Sequence, residues 1–183
     1  MKRTVISLII CALLVLSCCG CSKGSFGHEI YDDIKDYSKI FELTELRYDE
    51  DAFEIFPKDA EGLDVSHFYC EWNLGAVGSA EAQICLSVRY DKEDLNAEIE
   101  RLKSLGGGNM VFDTDNFQYP AYVSVLGYMN TNYYALVDKD NSCVHYILLQ
   151  IINAGDVGFD KNYLPNGYGE LGAVDNISYN IYE

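Results

Sequence analysis

Basic residues are scarce: 13 Lys and Arg stand against 29 Asp and Glu in 183 residues, a net charge of −16. Apart from Lys2 and Arg3, no basic cluster exists. Phosphate binding needs such a patch, so nucleic acid is excluded as a main partner. Histidine is limited to His28, His67 and His145, far apart and outside HExxH or paired Cys/His spacing, which leaves no metal motif. There is no GxSxG serine elbow and no GxxxxGK[ST] loop, so the usual hydrolase and nucleotide motifs are missing. Gly106-Gly107-Gly108 follows a helical pattern instead of leading into one, and offers an anion no helix N-terminus. No catalytic residue, cofactor or metal set is therefore named by the sequence. Disorder is excluded too, because 49% of the chain is hydrophobic and 13% aromatic, more than enough to bury.

What is present begins at the N-terminus. Met1-Lys2-Arg3 precedes an uncharged apolar run from Thr4 to Leu16. At 1.5 Å per residue that run makes a helix of about 20 Å, too short for a hydrocarbon layer of about 30 Å. A basic start and a short apolar stretch form the pattern of a secretory signal peptide. Ser17-Cys18-Cys19-Gly20-Cys21-Ser22 follows directly, and small residues ending in Cys at this place resemble the bacterial lipobox. The resemblance implies acylation of a Cys thiol, cleavage before it and a lipid-bearing N-terminus. Cys18, preceded by Val15-Leu16-Ser17, is the first choice; Cys21, preceded by Gly20, is the alternative; Cys19 fits poorest. The expected organisation is a signal peptide over 1–17, a lipidated Cys and flexible tether over 18–27, and one globular domain over 28–183. Several acyl chains anchor far better than one, so the chain is expected outside the cytoplasm on the cell membrane. Loss of residues 1–17 removes two bases and no acid, leaving 11 basic against 29 acidic residues, a net charge of −18. The whole resembles uncharacterised small lipoproteins of Gram-positive, clostridia-like bacteria, a likeness carried by residues 1–22 that implies no activity.

The remainder reads as α+β, mostly an antiparallel sheet with one amphipathic helix packed on it. Ile30, Ile34 and Tyr37 at i, i+4, i+7 predict a short helix over 28–37. Phe68, Cys70, Trp72, Leu74 and then Ala82, Ile84, Leu86, Val88 alternate with polar residues, a hairpin about Gly75–Ser79. Asp91–Leu105 is the main helix, capped by Asp91 and buried through Leu95, Ile99 and Leu102. Further strands are expected at 110–113, 121–129, 133–138 and 143–152, the last apolar on both faces and so central. A polar turn at 138–142 makes its hairpin. Asn153–Gly172 reads as a long surface loop, and Ile177, Tyr179, Ile181 as a terminal strand.

Asp113–Asn116, Asp138–Asn141 and Asp156–Asn162 carry oxygen side chains suited to a hard cation. The third lacks EF-hand order, since its twelfth position is Gly167, and Asp, Asn and Gly also serve ordinary turns. Cys70 and Cys85 would face each other in a symmetric hairpin, but that register turns Trp72 toward the polar side. Shifting by one residue restores the pattern and separates the sulfurs, so Cys70, Cys85 and Cys143 are expected as buried thiols. His145, in the most apolar strand, is expected as a hydrogen-bonded core residue. Tyr119, Tyr122, Tyr128, Tyr133, Tyr134, Tyr146, Tyr163, Tyr168, Tyr179 and Tyr182, with nearby Asn, resemble a recognition surface, although strands also favour Tyr.

These features lead to a lipid-anchored, non-enzymatic envelope protein that binds a protein or glycan through a Tyr-rich face. Two other classes stay open. One is an envelope hydrolase whose carboxylates are assembled by the fold. The other is an acidic inhibitor or immunity-type protein for a cationic target.

Overall fold

The computed structural model describes residues 27–43, 50–74, 80–105, 111–112, 116–128 and 131–168. The signal segment, Cys18, Cys21, the tether to Phe26, Asp113 to Asp115, the triglycine and the expected strand about Ile177–Ile181 lie outside them. The fold is α+β: β1 Gly27–Tyr31, β2 Asp64–Leu74, β3 Ala80–Arg89, α1 Lys92–Leu105, β4 Val111–Phe112, β5 Ala121–Tyr128, β6 Thr131–Asp138 and β7 Cys143–Gln150. The seven strands form one antiparallel sheet in the order β1-β2-β3-β7-β6-β5-β4. Two meanders are thus joined along β3 and β7. The connection from β3 to β4 crosses four strand intervals, about 19 Å at 4.8 Å each. A helix of 14 residues is about 21 Å long, the right length for that crossing.

Alternation sorts each strand's residues onto two faces. On the first face, Ile84, Leu86, Val88, Tyr146, Leu148 and Ala135 pack with Leu95, Ile99 and Leu102 of α1. Asp91 caps α1 by accepting from the N–H groups of Glu93 and Asp94, both at 2.9 Å. Tyr37, Ile40, Ile55 and Phe56 complete this layer. Here the helix expected over 28–37 is corrected. Residues 27–31 pair with β2, and a 3-10 helix runs from Ile34 to Glu42 with Asp33 as its N-cap. The helical spacing of Ile30 and Ile34 straddled a strand end and a cap.

The second face is covered as well. Val157, Phe159 and Leu164 from the 151–168 segment are buried against Cys85, Tyr134, Leu136, Ile147 and Leu149. That segment is therefore a packed layer, and the surface loop expected there is corrected. Tyr134 donates its hydroxyl to the Tyr163 carbonyl at 2.9 Å, and Tyr168 donates to the Ile152 carbonyl at 2.7 Å. Ile151, at φ +56°, turns the chain out of β7 and back over the sheet. All eight residues of β7 are buried, as a central strand covered on both sides requires.

The hairpin register pairs Cys70 with Ile84 and Tyr69 with Cys85. The two sulfurs lie on opposite faces. Cys70, Cys85 and Cys143 are free and buried, and burial pushes Cys70 up to about 12. No helix among the described residues is long and apolar enough to cross a membrane.

Candidate functional site

At one end of the second face the covering segment leaves a cleft of about 280 Å³ between the β1–β3 meander and residues 151–156. His28, Glu71, Asn73, Glu81, Gln83 and Asp156 supply its polar groups, with Ile151 and Ile152 as an apolar wall. Period-2 alternation brings this set together, because His28 sits opposite Asn73, and Glu71 and Asn73 sit opposite Gln83 and Glu81.

Glu71 is the centre of the cleft's hydrogen bonding. Its Oε1 lies 2.9 Å from His28 Nε2, while its Oε2 accepts from the Tyr69 hydroxyl at 2.7 Å and from Gln83 Nε2 at 2.9 Å. Partial burial raises the Glu71 pKa, but the bonds from Tyr69 and His28 outweigh it and hold the carboxyl below its ordinary range. Glu71 is thus a fixed anion and no proton donor near neutrality. Tyr69 responds in the opposite sense, its phenol pushed up by burial and by the carboxylate it serves.

Gln83 positions the cleft's far wall. Its Nε2 donates to the Asp156 carbonyl at 3.0 Å and its Oε1 accepts from Gly158 N–H at 2.7 Å. This mimics a backbone pair and fastens the covering segment to the sheet. Gly158 is required there, since a Cβ would stand 2.5 Å from the Tyr69 ring.

Two carboxylates are left with only weak donors among the described residues. Glu81 receives only a long 3.5 Å contact from Asn73 Nδ2, and Asp156 one of 3.3 Å from Asn153 Nδ2. Asn73 Oδ1 is a buried atom with no hydrogen-bond partner. Among the described residues no Lys or Arg lines the cleft. Such an arrangement suits a donor-rich cation, an ammonium or a guanidinium.

The residues singled out from sequence sit elsewhere, apart from His28 and Asp156. His145 is in the core, 2.8 Å from the Ser87 hydroxyl and stacked on Tyr163. Burial pushes it down to about 4. His67 is exposed at the start of β2. Asp138 accepts from the N–H groups of Asp140 and Asn141 and from Asn141 Nδ2, the pattern of a turn. Asp160 caps the 3-10 turn Lys161–Tyr163. Among the described residues no three His, Cys, Asp or Glu side chains gather closely enough to hold a metal ion.

Tyr122, Tyr133, Tyr134 and Tyr146 are buried, and Tyr119, Tyr163 and Tyr168 are half-buried against the second core. Nothing is described of the Tyr128 side chain, and Tyr179 and Tyr182 lie outside the described residues. The tyrosines so placed are packing residues, not one exposed face. Glu71, Asn73, Glu81 and Gln83 gave no signal in the sequence, and nothing there joined them to His28, because the fold alone collects the set. Compared with protein-family models, curated proteins and solved structures, the chain gives no match.

Proposed function

We propose that this chain is a lipid-anchored binding protein of the bacterial cell envelope whose cleft holds a cationic group of its ligand. The observation that carries the ligand class is the set of three carboxylates lining the cleft, Glu71, Glu81 and Asp156, with no Lys or Arg among its described lining residues. A charge-assisted hydrogen bond to carboxylate is roughly twice as strong as a neutral one. The mature charge of −18 adds a field that draws cations toward the domain. The anchor rests on the lipobox-like Ser17–Ser22 stretch. Gly27 follows Cys18 by nine positions, so the cleft end of the sheet would stay within about 30 Å of the lipid.

Two measurements test the two halves. Labelled palmitate should enter the wild-type chain and be lost in the Cys18→Ser, Cys21→Ser double variant; label retained there removes the anchor. Calorimetry with arginine amide at low salt should show binding that weakens at least tenfold in Glu81→Gln, Asp156→Asn. Equal affinity in that variant, or affinity unmoved by salt, sinks the cleft reading.

A further inference from the structure

We infer that the ligand of this cleft is an extended, basic peptide segment that adds to the sheet as a strand along the open edge of β1. The inference rests on the cleft reading above and goes further by naming the ligand's backbone conformation and its place. β1 is the last strand of the sheet, and no described strand pairs with its outer side. An outer strand presents a row of backbone N–H and C=O groups that another extended chain can complete.

The side chains on this edge support one kind of occupant. Ile30 is 52% exposed and Ile151 45% exposed, the exposed large hydrophobic residues of the described chain. Ile30 stands opposite Glu71 in the ladder, and Ile151 lines the cleft. The open edge and the acidic recess therefore share apolar flanks. A strand added outside β1 would lie about 10 Å from β2. A lysine or arginine of about 6 Å leaning inward over Ile30 leaves about 4 Å of that distance, which the Glu71 side chain spans from the other side. On the opposite side of the added strand the exposed Glu29 waits at the next position. The occupant is thus met by carboxylates on both faces and by an isoleucine on one, which fits alternating basic and apolar residues.

Charge complementarity also decides against a second copy of this chain as occupant. Two copies paired through β1 would bring together two strongly acidic chains, each of net charge −16 over its full sequence.

The test uses the full lipidated chain in phosphatidylcholine nanodiscs and the peptide acetyl-(Lys-Val)4-amide, with empty nanodiscs as the blank. Calorimetry at low salt should show binding. Full N-methylation of the peptide keeps its side chains and charge but removes its backbone donors, and should weaken binding at least tenfold. Ile30→Lys, an exposed substitution, should weaken the unmodified peptide at least tenfold with no change in Tm. Equal binding of the N-methylated peptide overturns strand addition, while the cleft reading stands if that binding still needs Glu81 and Asp156. Loss of dependence on Glu81 and Asp156 with N-methylation still harmful would instead sink the cleft reading alone. A peptide that binds neither variant nor wild type, or a chain already dimeric through β1 without peptide, overturns the inference.

Discussion

Ser87 Oγ lies 2.8 Å from His145 Nδ1, so the imidazole is held from one side by a hydroxyl while the Tyr163 ring stacks 4.1 Å away on it. Cys143 Sγ adds a 4.0 Å contact to the same nitrogen. The pair has the atoms of a nucleophile and its base, yet Ser87 is 2% and His145 5% exposed. Its consequence is for stability.

Burial pushes His145 from 6.5 down to about 4, partly countered by the charges of Asp138 and Asp160. The unfolded chain therefore takes up this proton before the folded one does. Stability is complete above about pH 6.5 and declines as the pH falls toward 4, by up to about 3 kcal/mol. Urea denaturation at pH 7 and pH 4.5 should show a loss about 2 kcal/mol larger in the wild type than in His145→Gln. Equal losses would mean that His145 titrates normally.

Arg101 ties α1 to the chain that precedes β2. Its guanidinium donates to both carboxylate oxygens of Glu98, at 2.8 and 2.7 Å, and to the carbonyls of Glu54 and Ile55 at 3.0 and 2.7 Å. Tyr146 donates to Glu98 as well, at 2.6 Å. Arg101→Met leaves the Glu98 carboxylate, 10% exposed, without its cation, and should cost about 2–4 kcal/mol. Arg101→Met with Glu98→Leu should recover part of that loss, because no unpaired charge remains. A double variant as unstable as the sum of the single ones would place the effect in packing.

Gly158→Ala tests how the cleft wall is seated. The new methyl would meet Tyr69 Cζ and Oη at 2.5 Å, so the ring must move and its bond to Glu71 loosens. A stability loss of about 1–3 kcal/mol is expected from such overpacking. Arginine amide should bind more weakly to the same variant, and adding Tyr69→Ser should restore stability relative to Gly158→Ala alone. Unchanged stability would show that the segment shifts freely over the sheet.

Much of the scaffold is legible in the sequence, for a physical reason. Phe68 to Leu74 and Ala82 to Val88 alternate because one side of each strand meets the core shared with α1 and the 3-10 helix, and that pattern also selects the register that pairs Cys70 with Ile84. Asp91 and the Leu95, Ile99, Leu102 stripe mark α1 in the same way. The second layer escapes notice because Val157, Phe159 and Leu164 follow no period. They are apolar residues of an irregular segment, and only the open sheet face beneath them explains their burial. The cleft is hidden more deeply. His28, Glu71, Gln83 and Asp156 come from four separate stretches, and each alone is an ordinary polar residue on a strand or in a turn.

The seam between β3 and β7 also governs how the chain reaches this state. Arg89 pairs with Cys143 and Ala82 with Gln150 across 54 to 68 residues of chain, so the β2–β3 hairpin and the β4–β7 meander can form from near neighbours while the seam must wait for a long closure. Until then both β3 and β7 are naked edges, and β7 is apolar on both sides. A chain exported before folding would expose that ribbon outside the cytoplasm. Fixing the N-terminus to the lipid surface would keep neighbouring copies' seams tethered to the same plane. Their mutual repulsion, from a net charge of −16 over each full sequence, would then protect that closure from intermolecular zipping.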